Sequence, residues 1–122
     1  REYNIMNNLI KIREISQVNQ KIFAKLLNIT VHTYRAFEQG KMTPPPEIIR
    51  MIAMMYRIDD LVLLDSAYFD QDVINNLIKI SELSQDEKYS YLASGILDEE
   101  RPNYHNIKKV KDRIKEYLTN TK

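Results

Sequence analysis

The sequence predicts an all-α protein, and three observations lead to this fold class. Apolar residues recur at helical spacing through most of the 122 residues, as one face of an α-helix requires. Residue types that begin and end helices lie between those apolar segments. Only two glycines are present, which argues against turn-rich β folds and glycine-rich phosphate loops, and no segment alternates like a strand.

The second and third predicted helices are short, and each has recognisable ends. Asn19 can cap the second helix, which ends near Asn28, because asparagine tolerates the left-handed backbone of a tight turn. Thr30 caps a third helix that runs to about Glu38, and Gly40 ends it. The apolar faces of the first two helices consist of Ile5, Leu9 and Ile12, and of Ile22, Phe23, Leu26 and Leu27.

Proline and acidic residues delimit the next helices. The run Pro44–Pro46 breaks the chain, and its last proline can occupy the first turn of a fourth helix. Asp59 or Asp60 caps a short fifth helix. Further apolar stripes follow helical spacing at Ile48, Ile49, Ile52, Ala53 and Met55, then at Leu61, Val62 and Leu64, and then at Val73, Leu77 and Ile80.

The chain divides into a segment 1–65, which holds five helices, and a C-terminal helical segment 66–122. In the second segment, Ser84 and Glu87 have capping-box spacing, and Pro102 marks a boundary before a last helix. The stripe Ile107, Val110, Ile114 and Tyr117 on that last helix is typical of a short coiled-coil seam. We expect the helices after Asp65 to form a homodimer or to bind a protein or peptide partner; the alternative is that they complete a monomeric core.

A six-residue segment is repeated in the sequence. Asn7–Ile12 recurs without change as Asn75–Ile80. Carrying the same offset forward places Pro102 where the third predicted helix has Tyr34, and a proline there would break the helix. The second copy is therefore expected to be at most a first helix reused for packing, and chance similarity is the alternative.

Aromatic and methionine residues are expected to lie in the core or an interface. The methionines are predicted to fill gaps in the core. They are Met6, Met42, Met51, Met54 and Met55, and the tyrosines expected in the core or an interface are Tyr3, Tyr56, Tyr89 and Tyr91.

The composition argues against several classes of function. There is no cysteine and there are only two histidines, so neither a thiol nucleophile nor a histidine-rich metal centre is expected. No run is apolar enough for a membrane span or a signal peptide, which is consistent with a cytoplasmic protein. Acidic clusters lack a partner base or nucleophile, so we predict no enzyme and no cofactor.

Charge is unevenly distributed although the formal net charge is only +1. From Lys11 to Lys41, six cationic side chains stand against two carboxylates, a local charge of +4. A locally basic segment can be a footprint for phosphate groups. An ordinary solvated face is the alternative.

The segment from Gln17 to Pro44 reads QVNQKIFAKLLNITVHTYRAFEQGKMTP and resembles a known family. It is similar to the helix-turn-helix domain of the phage Cro and repressor (XRE-type) transcriptional regulators. The resemblance covers roughly Met6 to Leu64. The matching positions are Gln20, Leu26, Leu27, Asn28, Ile29, Thr30, Thr33, Phe37, Glu38, Gly40, Pro44 and the ending Ile58–Leu64.

The resemblance implies a five-helix domain that binds double-stranded DNA, with the helix 30–38 in the major groove. Arg35 is the only long cation of that helix and could reach guanine or a phosphate; the alternative is that it pairs with a nearby carboxylate. Backbone phosphate contacts are implied for Gln20, Gln39 and Lys41. The face toward the bases is implied to consist of Thr30, Val31, His32, Thr33, Arg35 and Ala36.

The sequence also departs from the family pattern. Asn28 replaces the usual turn glycine. Tyr34 takes a position usually filled by isoleucine or valine, so it is expected to be a core residue rather than a base reader. The predicted reading face is poor in arginine, glutamine and asparagine, so DNA shape is expected to carry part of the discrimination. The sequence therefore predicts a sequence-specific transcriptional regulator, a repressor by resemblance; the alternatives are a protein-interaction adaptor and an antitoxin with the same fold.

Overall fold

The computed structural model describes residues 5–98, with side chains from Asn8 onward, and Asp112. All regular secondary structure in this part of the chain is helical, which confirms the predicted all-α class. None of its helices is long and apolar enough to cross a membrane. The α-helices are α1 (Ile5–Ser16), α2 (Gln20–Leu27), α3 (Val31–Glu38), α4 (Pro46–Tyr56), α5 (Asp60–Leu64), α6 (Gln71–Ser81) and α7 (Gln85–Leu97), and a 3-10 turn follows α5 at Ser66–Tyr68.

The predicted boundaries of α2 and α3 are confirmed. The side chain of Asn19 accepts a hydrogen bond from the backbone N of Ile22 at 2.8 Å. Asn28 ends α2 with φ 59° and ψ 43°, the left-handed region. Thr30 Oγ1 accepts a hydrogen bond from Thr33 N at 3.0 Å. Local chemistry therefore fixes both ends of the short turn between the two helices.

The later helix starts are confirmed as well. Pro46 is the first residue of α4, where the missing N–H costs nothing. Asp59, rather than Asp60, caps α5, because its carboxylate accepts a hydrogen bond from the backbone N of the second helical residue. Ser84 and Glu87 form both hydrogen bonds of a capping box at the start of α7. The predicted boundary at Pro102 and the last predicted helix lie outside the described residues.

The centre of the core is aromatic. The ring of Phe23 on α2 lies 5.1 Å from that of Tyr34 on α3 and 5.9 Å from that of Tyr56 on α4, centroid to centroid. Phe37 contacts Tyr34 edge to face. Tyr34 and Tyr56 are fully buried, as predicted for core residues. These contacts hold α3 firmly against α2 and α4.

The methionine prediction holds for α4 and is wrong for Met42. The α4 residues Met51, Met54 and Met55 are buried. Met42 is 50% exposed, because it lies in the turn after α3, beyond the last residue that α3 can direct inward. The side chain of Met6 lies outside the described part.

Helices α6 and α7 pack on the first five helices. The principal neighbour of α6 is α1, and that of α7 is α4. Their apolar residues lie in the same core cluster as those of α1–α5. A Cβ atom on Gly95 would lie 2.3 Å from the carbonyl oxygen of Met54 and 2.8 Å from that of Met55, so α7 approaches α4 as closely as a glycine allows. The described helices of the segment 66–122 therefore share a core with the segment 1–65, and α6, the second copy of the repeat, is a packing helix.

Two cations attach α7 through backbone carbonyls. Lys88 is only 3% exposed, and its ammonium group donates to the carbonyl oxygen of Gln17, just after α1, at 2.9 Å. The guanidinium of Arg57 lies 4.0 Å above the ring centroid of Tyr91 and donates to its carbonyl oxygen. Because Gln17 follows the carboxyl end of α1, the ammonium group of Lys88 also interacts favourably with the dipole of α1.

Candidate nucleic-acid interface

The outer face of α3 is formed by residues between the buried positions. Tyr34 and Phe37 point into the core, whereas His32 and Arg35 are exposed. Gln39, which follows α3, and Lys41 in the next turn are exposed too. Thr30, which caps α3, is also exposed, so five of the residues predicted to contact DNA lie on the surface around α3.

The amino end of α3 combines a cap with a partly apolar surface. The hydroxyl of Thr30 accepts from Thr33 N and donates to Thr33 Oγ1, both at 3.0 Å. The hydroxyl proton of Thr33 is thus left to donate to a further acceptor. Val31 is half-buried and packs against the core, which reduces the surface that it offers outward.

Ala36 differs from the expectation that it lies on the outer face. It is only 8% exposed. Gly40 has φ 75°, in the left-handed region, and turns the chain back over the end of α3. The backbone N–H groups of Lys41 and Met42 then donate to the carbonyl oxygen of Ala36 at 2.9 and 3.3 Å. This turn leaves Ala36 little surface for a contact with a base.

An ion pair lies beneath the exposed face of α3. The Nε and Nη2 atoms of Arg13, on α1, donate to the two carboxylate oxygens of Glu38 at 2.6 and 3.0 Å. The side chain of Glu38 is 7% exposed and that of Arg13 is 18% exposed. A two-point contact of this kind fixes direction as well as distance. Because Arg13 belongs to α1, it anchors the carboxyl end of α3 to the body of the protein.

The ionisation of this pair follows from its contacts. Burial by itself would raise the pKa of Glu38, but the hydrogen bonds from Arg13 and Gln20, together with the nearby hydroxyl of Tyr34, outweigh burial and lower that pKa below its ordinary value. The hydrogen bond to Glu38 raises the pKa of Arg13. Glu38 is therefore a carboxylate whose negative charge is balanced inside the protein.

Gln20 connects Glu38 to the exposed face. Its Nε2 donates to Glu38 Oε1 at 3.1 Å, and its Oε1 accepts from Arg35 Nε at 2.9 Å. Arg35 thus pairs with an amide, and in the described part of the chain it contacts no carboxylate within salt-bridge distance. The structure brings Gln20 and Arg35 together, two residues that the sequence predicted to contact DNA separately.

The hydroxyl of Tyr34 lies at the buried side of the network. Burial and the neighbouring Glu38 carboxylate raise its pKa. Its oxygen makes no hydrogen bond of standard geometry with any described residue. Tyr34 is thus a neutral phenol whose ring packs in the core and whose hydroxyl faces the ion pair.

The charge of the surface follows from the position of Glu38. Between Ile15 and Pro46 the sequence contains a single carboxylate, Glu38. Because that carboxylate is buried against Arg13, the exposed charges of α2, α3 and the following turn are all positive. They belong to Lys21, Lys25, Arg35 and Lys41.

No metal-binding cluster was found at this surface or elsewhere among residues 5–98. In that range no three histidine, aspartate or glutamate side chains lie together so that they could hold an ion. The donors available around α3 are cationic and neutral. They suit an anionic partner rather than a metal ion.

Arg13 and Glu38 were not predicted from the sequence as parts of the site. The signal that could have found them is the isolation of Glu38 in an otherwise basic segment. A lone carboxylate next to buried Phe37 needs a cation to balance it. The identity of that cation depends on how α1 crosses α3, which local sequence does not reveal.

Comparison of the chain with family models, with curated proteins and with solved structures gave no match.

Proposed function

We propose that the protein is a sequence-specific DNA-binding transcriptional regulator that inserts α3 into the major groove. The likeness of its sequence to Cro and repressor (XRE-type) helix-turn-helix domains supports this function, and repression is proposed on the same basis. A cytoplasmic location is part of the same proposal, and the lack of cysteine is consistent with it.

One observation carries the proposal: α2, α3 and the turn after α3 expose cationic side chains and no carboxylate of their own. The only carboxylate between Ile15 and Pro46 is turned inward and paired with Arg13. Phosphate groups are the most abundant anions on a duplex, and cationic side chains supply most of the non-specific affinity for it. A face arranged in this way is suited to a polyanion.

The exposed residues have distinct proposed roles. Lys41 and Gln39 contact backbone phosphates, which set the position of the protein without reading sequence. His32, Thr33 and Arg35 face the base edges, where donors distinguish one base pair from another. Val31 and Ala36, largely covered, contribute at most a small apolar contact.

We also propose that the protein binds DNA as a homodimer on two half-sites about 34 Å apart. A single small helix-turn-helix unit buries little surface on DNA, which favours pairing. Because α6 and α7 already bury their apolar faces against α1 and α4, the second chain would be contacted mainly by residues that follow α7.

The experiment is selection of bound duplexes from a random pool, followed by anisotropy titration of the selected duplex between about 50 and 200 mM salt. The logarithm of affinity should fall linearly with the logarithm of salt, by about 0.9 for each phosphate neutralised. The selected sequences should contain two inverted half-sites.

Two lysine variants provide a matched test. Lys41→Gln should weaken binding to all duplexes about equally and lower the salt slope by about 1. Lys79→Gln, an exposed lysine on α6, makes the same chemical change away from α3 and should leave binding unchanged. Absence of binding to every duplex at the lowest salt would contradict the proposal and favour a protein-interaction adaptor. Equal losses for the two variants would contradict the placement of the site at α3.

A further inference from the structure

The contacts of Gln20 determine which way its amide faces. Glu38 is a carboxylate and can only accept hydrogen bonds, so Gln20 must direct its NH₂ group toward Glu38 Oε1, 3.1 Å away. The carbonyl oxygen of the same amide then faces the opposite way and accepts from Arg35 Nε at 2.9 Å. The orientation of the amide therefore follows from chemistry, although oxygen and nitrogen have similar shapes.

Arg13 gives this arrangement its electrostatic consequence. Because Arg13 contacts both oxygens of Glu38, Arg13 alone balances the carboxylate charge, and Gln20 is not needed for that. Gln20 is neutral and lies between Glu38 and Arg35. The positive charge of Arg35 is therefore not neutralised by a carboxylate. Arg35 is thus held in place and keeps its full charge for another molecule.

The bond to Gln20 also selects which edge of the guanidinium remains available. Arginine has five N–H donors in a rigid plane, and the bond to Gln20 uses the one on Nε. The two terminal nitrogens of Arg35 make no hydrogen bond with any described residue, and the side chain is exposed. A guanidinium fixed at Nε presents its terminal nitrogens outward as a two-point donor.

We propose that Gln20 is a positioning residue that presents the two terminal nitrogens of Arg35 to the O6 and N7 acceptors of one guanine. The inference rests on the proposed function and specifies how the same site reads its DNA. Guanine offers two acceptors side by side in the major groove, which match such a donor. A phosphate also accepts from arginine, but contact with a phosphate does not require the restricted orientation that the bond from Gln20 imposes.

The test replaces each guanine of the selected duplex, one at a time, with 7-deazaguanine, which lacks the N7 acceptor but keeps its base pairing. Wild-type protein should lose about tenfold or more in affinity at one guanine of each half-site. Arg35→Ala should bind the natural and the modified duplex equally well at that position. Gln20→Met should still bind, but its discrimination at that guanine should fall below about threefold, with its response to every other guanine unchanged.

Gln39→Met is the matched control, because Gln39 is an exposed glutamine beside the same helix. It should keep the wild-type discrimination at that guanine, even if its overall affinity falls. Unchanged discrimination in Gln20→Met would overturn the positioning role. Arg35→Ala is expected to lose affinity for the selected duplex. If a methylphosphonate at one phosphate reproduces that loss and no modified guanine does, the guanine contact is overturned.

A measurement without DNA separates this inference from the proposed function. In nuclear magnetic resonance spectra of the free protein, the Arg35 Nε–H proton should exchange slowly with water in the wild type and at least about tenfold faster in Gln20→Met. Equal exchange rates would overturn the positioning role whether or not DNA binds. Slow exchange in the wild type together with no binding to any duplex would overturn the proposed function and the guanine contact, while the Gln20–Arg35 contact itself would stand.

Discussion

The face formed by α2 and α3 and the region formed by α6 and α7 are attached to the protein by different kinds of contact. At the first, side chains bond to side chains: Arg13 to Glu38, Glu38 to Gln20 and Gln20 to Arg35. At the second, apolar residues fill a shared core, and Gly95 lets two backbones approach closely. Two polar contacts with α7 there are donations to backbone carbonyls from Lys88 and Arg57.

The two kinds of contact have different effects: one orients exposed side chains and the other stabilises the fold. A chain of side-chain hydrogen bonds restricts the direction of an exposed group while contributing only modest net free energy, because water could satisfy the same groups. Close apolar packing contributes more free energy but directs no exposed group. The protein therefore uses polar contacts where a partner is proposed to bind and apolar contacts where helices are added.

The largest expected effect is at the α7–α4 contact. Gly95→Ala places a methyl group against two backbone carbonyls, and backbone cannot move aside as a flexible side chain can. We expect the free energy of unfolding in urea to fall by about 3 kcal/mol. In an exposed helix the same change would stabilise by about 1 kcal/mol, so the sign alone is informative.

Ser90→Ala, on the exposed face of α7, is the control and should stay within about 0.5 kcal/mol of the wild type. The exchange of the Arg35 Nε–H proton in the folded Gly95→Ala variant should match the wild type. A Gly95→Ala variant as stable as the wild type would contradict the close approach of α7 to α4.

The repeated hexapeptide supplies an intermediate effect. Asn8 is fully buried, and its Nδ2 donates to the carbonyl oxygens of Val62 and Leu63 at 3.2 and 3.1 Å. Asn76, at the same place in the second copy, is half-buried and has one contact of 3.5 Å, with Tyr56. We expect Asn8→Ala to lower the free energy of unfolding by about 2 kcal/mol and Asn76→Ala by less than about 0.5 kcal/mol.

The two asparagine variants control each other, because both residues are the second of the same hexapeptide and the change in helix propensity is the same. Chemical denaturation of both proteins under one condition measures the difference directly. Equal losses would mean that the surroundings of the two copies matter less than their shared sequence.

Local sequence predicted the parts of the fold that depend on local chemistry. The caps at Asn19, Thr30 and Ser84 and the left-handed turn at Asn28 were all predictable, because each is decided within a few residues. The exposure of Met42 was not predictable, because helical spacing predicts which side chains are buried only within a helix, and Met42 follows the end of α3. The packing of α6 on α1 and of α7 on α4 depends on distant contacts that no local pattern encodes.

The sequence predicted which residues are exposed at the candidate site, but not which of their side chains bond to one another. The exposed residues His32 and Arg35 follow from the helical spacing around Tyr34 and Phe37. The bond between Gln20 and Arg35 depends on the angle between α2 and α3 and on a carboxylate held by a third helix. Local sequence does not predict an arrangement that depends on three helices.

The smallest expected effect is a dependence of stability on pH that is specific to the α3 network. Burial opposes the hydrogen bonds to Glu38, but the hydrogen bonds prevail, so its pKa is lower in the folded protein than in the unfolded chain. A carboxyl group with a lowered folded pKa adds stability that is complete above its unfolded pKa, about 4.3, and is lost as the pH falls through the folded value.

Glu38→Gln should therefore be less stable than the wild type near pH 7, and the difference should shrink as the pH falls from about 5 toward 3, since the other carboxylates are common to both proteins. Ile80→Val, a change of about 1 kcal/mol in the buried face of α6, should differ from the wild type by the same amount at every pH, because no proton is involved. Urea unfolding of the three proteins across that range measures both differences. A difference for Glu38→Gln that does not change with pH would show that the network orients Arg35 without holding Glu38 in its charged form.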